Sequence, residues 1–560
     1  MRIKSKLLMP RKSKFLSILI FIPISIYVFE VFNSNFQVDD YGSVSMKTLS
    51  LQQHISDWRY LWGMRPVGMI LLPSMIEVFQ SHPVLYNLTN LTIYSSSLIL
   101  LIKIMFWTDK RNLSYIGIPA LALGLLPAIA DTFIHSPVNQ MCQSISLLFF
   151  VIGLQLQYQK NKSQNRVILP MLFYCFSFLT YEIWMPLLIL SFLNPILLTK
   201  LSFKELNLRR MTPGLMALTI TLIWQKFLVI KFFGATNSRL EGFSVSAFVS
   251  YFYVWIVEFP VKLFLSCLAR PEIFIAIFLT LTAIYLIERN SRNIENTNIS
   301  STPYILCFLA MAFLYSISGK MATTFGYDNR GMTASWVIFS ILVCVYCSGK
   351  KRFLVFLLIS CNSVYFLNTF IDFRDASKVR NVAIQETVGY LDKLKKVDSD
   401  FSSGPIILYA NVLCANQDGI NRPSVFCVTW DMGPAINISS NLNVTVYPIQ
   451  NMVWGDPPKV QRDGGLESID GVSVFISYDN RGHILFTKIF RSEDDLNLYL
   501  AKKYDLIYKL LTGADVSSSC KFLRNIAEGL QSKGINNQLL WEKFFHNGFC
   551  RVYFDPKSIG

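Results

Sequence analysis

The sequence predicts a polytopic α-helical membrane protein that carries a soluble α/β domain at its C-terminal end. Of the 560 residues, 52% are hydrophobic and 16% are charged, whereas about a quarter of the residues in a typical soluble protein are charged. Apolar segments of roughly 17–25 residues, the length that crosses a bilayer, recur along the first two-thirds of the chain. Near residue 373 the composition becomes that of a soluble domain. We therefore expect a membrane part, 1–372, and a tail, 373–560.

The position of the basic residues predicts the orientation of the membrane part. The formal net charge is +16, but Lys and Arg lie mainly in short loops between apolar segments, as they do in loops that stay in the cytoplasm. This distribution argues against nucleic-acid binding. The N-terminal segment MRIKSKLLMPRKSK has six basic residues and no acidic one. We expect a cytoplasmic N-terminus and a first helix, about 15–32, that runs outward and is retained rather than cleaved.

Ten further crossings are predicted from the apolar segments and the basic loops between them. They lie at about 84–107, 113–134, 138–158, twice within 166–199, then at 212–233, 271–288, 302–319, 331–348 and 352–371. The segment 246–268 is also apolar but contains Glu258, Pro260 and Lys262. This composition favours a helix along the outer surface or a re-entrant helix over a crossing. With that choice the total is eleven crossings and the tail lies outside the cytoplasm, whereas a crossing at 246–268 would place the tail inside.

The tail has the pattern of an independent α/β domain. SGPIILYANV, GVSVFISYD and HILFTKIF predict strands, and SEDDLNLYLAKKY predicts a helix. An even number of cysteines in an outward-facing domain predicts two disulfides, with three possible pairings. These cysteines are Cys414, Cys427, Cys520 and Cys550. No Cys or His spacing typical of a zinc site occurs, and the chain has only five His, so we predict no metal centre.

The first outer loop begins with two adjacent acidic residues, Asp39 and Asp40, in FQVDDYGSV. Apolar residues then recur at helical spacing, which predicts a helix along the membrane surface; they are Val44, Leu51, Ile55, Trp58 and Trp62. Arg65 follows in MRPVG, where we expect it at the membrane surface. A carboxylate takes a proton from a hydroxyl and a guanidinium binds phosphate. The loop therefore suits chemistry on a lipid-linked anionic substrate.

This order of features resembles the GT-C glycosyltransferases, and DDYG…RP resembles in particular the bacterial glucosyltransferases that decorate O-antigen. The resemblance covers about residues 1–370. It implies a GT-C-like fold in the bacterial inner membrane that takes sugar from a polyprenyl- or dolichyl-phosphate donor at the extracytoplasmic face. It also implies that Asp40 or Asp39 is the catalytic base. The alternative for this pair is two solvated acids at a helix exit or a cap of the following helix.

Several further residues at the outer ends of spans are candidates for substrate binding. The resemblance implies that Arg330, in FGYDNRGMTASW, holds the donor phosphate, with Lys320 as a second basic candidate. The pentapeptide YDNRG recurs at 478–482 between two predicted strands, where it predicts a hairpin turn. Turn formation is therefore an equal alternative for the copy that contains Arg330. If the helix ends converge, three more polar residues would line a cavity open to the outer leaflet: Asp131, His135 and Glu182.

The expected function is transfer of a hexose from a polyprenyl-phosphate donor to a lipid-linked glycan or O-antigen acceptor. Glucose is the first candidate for this hexose. A single base implies inversion at the anomeric carbon. The expected partners are this donor, this acceptor and membrane lipids, with no nucleic acid. No cofactor is indicated; a divalent cation between donor phosphate and an Asp is compatible with the residues. The alternatives are an O-antigen polymerase and a transporter or flippase, which predicts ionisable residues near the bilayer midplane and internal repeats.

Overall fold

The structure is a computed structural model. It describes residues 14–32, 43–44, 52–53, 63–106, 113–127, 137–158, 167–192, 208–233, 242–290, 300–319, 322, 331–348, 351–397, 406–411, 429–440, 444–448, 459–462, 465–468, 473–478 and 481–490. The chain divides into two compact units. The first comprises Met1–Phe36 and Met46–Phe373, and the second comprises Gln37–Ser45 and Arg374–Gly560.

The first unit is built from α-helices with short 3₁₀ and π turns between some of them. The helices of its N-terminal half are α1 (Lys14–Phe32), α2 (Pro66–Phe79), α3 (Pro83–Phe106), α4 (Ile118–Gly124), α5 (Pro137–Tyr158), α6 (Ile168–Thr180) and α7 (Leu188–Phe192). Those that follow are α8 (Leu208–Ile223), α9 (Val229–Phe233), α10 (Val245–Tyr253), α11 (Phe259–Ala269), α12 (Pro271–Asn290), α13 (Thr302–Ile317), α14 (Thr333–Tyr346) and α15 (Arg352–Val397). Helix α15 continues into the second unit.

The lengths and compositions of these helices fit a helical membrane protein. Among the described residues, five helical segments are long and apolar enough to cross a membrane: Pro83–Phe106, Gln140–Tyr158, Met211–Phe232, Val245–Ala269 and Arg352–Ile371. Four of the five coincide with predicted spans. Each of the other seven predicted spans contains a shorter apolar helix of 10–17 residues. The total of eleven crossings therefore remains a prediction.

The predicted hairpin of short helices within 166–199 is present, and it turns at TYEIW. Helix α6 ends at Tyr181, whose backbone is extended, and a 3₁₀ turn, Glu182–Leu187, leads into α7. The Ser146 Oγ, midway along α5, lies 2.9 Å from the Tyr181 carbonyl oxygen. The Tyr158 hydroxyl, at the end of α5, donates to the carbonyl of Leu190 at 2.6 Å. The chain therefore runs along the second half of α5 after it turns at Tyr181.

Helices α10 and α11 form one long helix that begins and ends on the same side of the first unit. At its start, the Ser244 amide donates to the Ser316 carbonyl at the C-terminal end of α13 (2.8 Å). Near its end, the Ser266 carbonyl accepts from the side-chain Nδ2 of Asn368 at 3.1 Å. Asn368 lies at the end of the apolar part of α15. A π turn, Val254–Glu258, interrupts the helix midway, and long helices commonly bend at such turns.

Helices α13 and α15 run in the same direction, so the two contacts of the long helix lie on the same side of the first unit. Gly331, just before α14, lies so close to the end of α13 that an added Cβ would be 2.6 Å from the Tyr315 hydroxyl. Cys344, in the last turn of α14, lines a small cavity with Arg352, the first residue of α15. The direction thus reverses twice from α13 to α15. These contacts favour the predicted surface or re-entrant helix over a crossing at 246–268.

The second unit contains a mixed sheet and the C-terminal part of α15. Its strands are β1 (Ile406–Asn411), β2 (Val444–Pro448), β3 (Lys459–Arg462), β4 (Gly465–Ser468), β5 (Ser473–Tyr478) and β6 (Ile484–Phe490), and its further helix is α16 (Thr429–Ser439). The four-stranded sheet has the order β2-β1-β5-β6. Strand β1 is parallel to β2 and β5, and β5 is antiparallel to β6. Strands β3 and β4 form a separate antiparallel pair.

Three strand predictions and one turn prediction are confirmed in the second unit. The three segments predicted as strands contain β1, β5 and β6. The copy of YDNRG at 478–482 lies at the hairpin between β5 and β6, where Gly482 has a φ of 88°. The predicted helix in SEDDLNLYLAKKY and the four tail cysteines lie outside the described residues.

The helix from 374 to 397 was not predicted, because the predicted span ended at 371. The structure instead continues α15 to Val397. Buried residues recur along this extension at helical spacing, including Arg380, Ala383, Thr387 and Leu391. Such a stripe packs a helix against its own domain, so the change in composition near residue 373 marks a change of environment rather than the end of the helix.

Candidate functional site

Two of the residues predicted for substrate binding, Arg65 and Glu182, form an ion pair. The Arg65 Nε donates to Glu182 Oε2 at 2.7 Å and its Nη2 donates to Glu182 Oε1 at 2.6 Å. This is the two-pronged geometry in which a guanidinium binds a carboxylate most strongly. The two side chains are 5% and 18% exposed. The structure thus brings these two residues together as partners of each other.

Arg65 is held by the helices on either side of it. It directly precedes α2, which begins at Pro66, and its carbonyl accepts from the Met69 amide at 2.8 Å in the first turn. The preceding residues pack against the helix at 208–233: Trp224 donates its indole N–H to the Gly63 carbonyl at 3.0 Å, and Met64 is buried against Val229. These contacts therefore fix the backbone position from which the guanidinium extends.

Glu182 and Tyr181 occupy the break between α6 and the 3₁₀ turn. The extended backbone of Tyr181 ends α6 and directs Glu182 toward Arg65. The Tyr181 ring lies beneath the guanidinium, with its centroid 3.6 Å from Arg65 Cζ. Trp184, which is fully buried, donates its indole N–H to the Gln143 carbonyl of α5 at 2.9 Å. The carboxylate, the aromatic ring and the guanidinium thus form one rigid group.

A set of uncharged polar side chains is buried next to this ion pair, where α3, α5 and α6 pack together. Its members are all at most 1% exposed: Asn87, Asn90, Gln140, Gln143, Ser144, Ser146, Ser177 and Thr180. The Ser144 hydroxyl donates to Asn90 Oδ1 at 2.5 Å, which links α5 to α3. The Ser146 hydroxyl donates to the Ser177 carbonyl at 2.7 Å, which links α5 to α6.

Two glutamines within this set, Gln140 and Gln143, are here named the amide pair. Gln143 Nε2 donates to Gln140 Oε1 at 2.5 Å. Cys142 lies between them along the helix and is within electrostatic reach of Arg65. The Gln143 carbonyl accepts from Trp184, which ties the amide pair to the segment that carries Glu182.

The Arg65–Glu182 pair carries no net charge of its own. Burial lowers the pKa of the Arg65 guanidinium, but attraction to Glu182 and Tyr181 outweighs this effect and holds the pKa above its ordinary value. Arg65 is therefore charged at every physiological pH. A buried ion pair contributes little net stability, because both charges lose their hydration, but it makes each partner costly to remove.

The other predicted site residues lie outside the described residues: Asp39, Asp40, Asp131, His135, Lys320 and Arg330. Their roles remain predictions. The next residue, Gly331, is described, and it packs against the hydroxyl of Tyr315 at the end of α13. Any side chain at 331 would overlap that hydroxyl.

The buried amides were missed in the sequence, although a signal for them was present. The predicted span 138–158 begins with VNQMCQSIS, which has five polar side chains in nine residues. Polar side chains within a membrane helix face the interior of the bundle or a cavity and commonly mark functional sites. The span was recognised by its average hydropathy, which the apolar second half of α5 dominates.

Comparison of the chain with protein-family models, curated proteins and solved structures finds no match. The chemistry of the site is therefore inferred from its residues. A guanidinium and a carboxylate bind phosphate and sugar hydroxyls respectively, and neighbouring amides supply both hydrogen-bond donors and acceptors.

Proposed function

We propose that this chain is an integral-membrane glycosyltransferase. It moves a hexose from a polyprenyl-phosphate donor to a lipid-linked glycan or O-antigen acceptor. Glucose is the first candidate for this hexose. The observation that carries the proposal is the buried Arg65–Glu182 pair with the adjoining uncharged amides, at the ends of helices predicted to open to the outer face. This combination of a phosphate-binding cation and polyol-binding amides matches the two parts of such a donor.

In this proposal the acidic step in the first outer loop performs the chemistry. Asp40 accepts the proton of the acceptor hydroxyl as its oxygen bonds to the anomeric carbon. The bond from that carbon to the phosphate oxygen breaks at the same time, and polyprenyl phosphate leaves with its electron pair. Attack opposite the leaving group inverts the anomeric configuration. Asp39 orients the loop or binds a sugar hydroxyl.

The cations neutralise the departing phosphate. Arg65 does so in a different way from the other cations, because of its ion pair. Its guanidinium is already bonded to Glu182, so a phosphate must share it or displace the carboxylate. The donor phosphate therefore competes with Glu182 for the Arg65 guanidinium. Arg330 and Lys320 are the cations proposed to contact the phosphate without this competitor. The competition would allow polyprenyl phosphate to leave after transfer.

The proposal also includes the location and the second domain. The chain lies in the bacterial inner membrane with its N-terminus in the cytoplasm, and residues 373–560 form a periplasmic α/β domain. Enzymatic activity of an alkaline phosphatase fused after Gly560 would support this orientation. An inactive fusion together with an active cytoplasmic reporter would contradict it.

The function is tested on the surface glycan itself. Mass spectrometry of glycan from cells with and without the chain should reveal an added hexose that depends both on the chain and on the polyprenyl-phosphate sugar. A polymerase would instead change the number of repeat units, and a flippase would change the amount of glycan at the surface. An unchanged repeat unit would overturn the proposal.

A further inference from the structure

We propose that the amide pair, Gln140 and Gln143, is the subsite that binds the hydroxyl groups of the uncharged hexose. The inference rests on the proposed function for the identity of the sugar donor. It rests on the structure for the chemical class of the ligand, which is a polyol. Its starting point is a pair of buried polar atoms that the fold leaves without partners.

Both glutamines are almost fully buried, at 1% and 0% exposure. Gln140 Nε2 and Gln143 Oε1 make no hydrogen bond in the part of the chain that the structure describes. Buried polar atoms in proteins are nearly always hydrogen-bonded, and an exception calls for an explanation such as strain, a catalytic role or a bound water or ion. The amide pair is such an exception, and it offers one donor and one acceptor.

The chemistry of these two atoms selects the ligand. An anion needs donors and a cation needs acceptors, whereas a hydroxyl group is both donor and acceptor. The result does not depend on how the amide oxygen and nitrogen atoms are assigned. If both side chains were turned over, Gln140 would donate to Gln143 and one donor and one acceptor would still remain. A diol edge of a sugar matches this pair in either case.

The amide pair is also held in place, as a selective subsite requires. The two side chains lie three residues apart, on one face of α5, and their mutual hydrogen bond fixes both. The backbone at Gln143 is tied to Trp184, two residues after Glu182. The subsite and the ion pair are therefore held by the same 3₁₀ turn, which sets the sugar next to the phosphate-binding group.

The alternative is that the amides only join helices, as polar side chains do in many membrane bundles. The test uses the full-length double variant Gln140→Met/Gln143→Met, because methionine matches glutamine in length and leaves no unpaired amide behind. Gln155→Met is the matched control, since Gln155 lies on the same helix but is exposed. The protein is purified in a detergent without a sugar headgroup, so that the detergent cannot occupy the subsite.

The first measurement is the thermal midpoint with increasing methyl glucoside, a soluble hexose probe. We expect stabilisation of the wild type and of Gln155→Met, and none of the double variant. An equal response of all three proteins, including no response, would overturn the inference. This result does not depend on any transfer reaction.

The second measurement is hexose transfer from the polyprenyl-phosphate donor. We expect the double variant to raise KM for the donor by about 10- to 100-fold with little change in kcat, since two hydrogen bonds to the sugar are lost. Normal kinetics of the double variant would overturn the inference while leaving the proposed function intact. Selective stabilisation by methyl glucoside without transfer by the wild type would instead overturn the proposed function and support the subsite.

Discussion

Two carboxylates, one in each unit, bind partners that are distant in sequence, but in very different surroundings. Glu182 in the first unit bonds to Arg65, 117 residues away, with both side chains largely buried. Glu386 in the second unit bonds to His483, 97 residues away, at 2.6 Å, with side chains 37% and 54% exposed. The difference teaches that burial, rather than separation in sequence, decides what such a pair contributes.

The exposed pair has a structural task. Glu386 Oε1 contacts His483 Nδ1, and its Oε2 accepts from the Ile484 amide at 2.6 Å. These bonds attach the β5–β6 hairpin to the C-terminal part of α15. Water screens an exposed pair of this kind, so its charges contribute about 0–1 kcal/mol. The buried pair instead makes each of its partners costly to remove.

The largest expected effect concerns the catalytic activity proposed for Asp40. Asp40→Asn keeps the shape of the side chain but cannot accept a proton, so transfer should fall by about 10²–10⁴-fold. Asp39→Asn should be milder. The measurement is hexose transfer from polyprenyl-phosphate sugar by purified variants with unchanged donor binding.

The pair of variants also separates the alternatives for the acidic step. A dead Asp39→Asn with an active Asp40→Asn would exchange the two roles. Normal transfer by both would show that the acids are solvated residues at a helix exit.

The next largest effect tests the burial of the Arg65–Glu182 pair. Glu182→Ala removes the carboxylate from a buried guanidinium and should destabilise the protein by about 3–5 kcal/mol. The double variant Arg65→Met/Glu182→Met should recover much of this loss, because no unpaired charge remains. Thermal unfolding of the solubilised chain measures both.

Glu272→Ala is the control for this experiment, because Glu272 is an exposed glutamate in the first turn of α12. It should change the midpoint little. If Glu182→Ala were equally mild, the pair would behave as an exposed one and the distinction between the two carboxylates would disappear.

In the second unit, backbone proximity should matter more than charge. An added Cβ at Gly482 would lie within van der Waals overlap of the Val379 carbonyl oxygen of α15, and φ is 88° at this position. Gly482→Ala should therefore cost about 1–3 kcal/mol. Gly389→Ala is the matched control, since a Cβ at Gly389 meets nothing within 4 Å and alanine favours the helix. Equal midpoints for the two variants would contradict the close contact.

The smallest effect is expected at the exposed pair itself. Glu386→Gln keeps an acceptor for the Ile484 amide and removes only the charge, so stability should change by about 0–1 kcal/mol. The residual difference should shrink further as salt is added. A loss as large as that of Glu182→Ala would mean that this pair, too, is shielded from water.

The two copies of YDNRG show how far local sequence determines structure. Next to β5, the copy at 478–482 forms the predicted hairpin turn, because alternating strands flank it and glycine adopts the required positive φ. Of the copy at 327–331 the structure describes only Gly331, which packs against the Tyr315 hydroxyl. Turn formation by that copy stays a prediction.

The sequence by itself determined the features that depend on local patterns. Average hydropathy located the long apolar helices such as α3 and α5, since burying such a length in water-free surroundings requires a helix. Alternation of apolar residues located β1, β5 and β6. Arg65 was marked by its place in the first outer loop after the acidic pair, and Glu182 by its place at the mouth of a predicted span, where an acidic residue is unusual.

Only the tertiary structure decided which of these elements meet. The Arg65–Glu182 pair joins residues 117 positions apart, and no periodicity or spacing encodes such a contact. The unpartnered atoms of Gln140 and Gln143 are visible only once their surroundings are known, because an amide in a sequence does not reveal which hydrogen bonds it lacks. For the long helix at 245–269, the composition favoured a surface or re-entrant helix, and the contacts at its two ends place both ends on one side of the first unit. Packing between distant helices sets these features, and the free energy of packing depends on the whole fold rather than on any one segment.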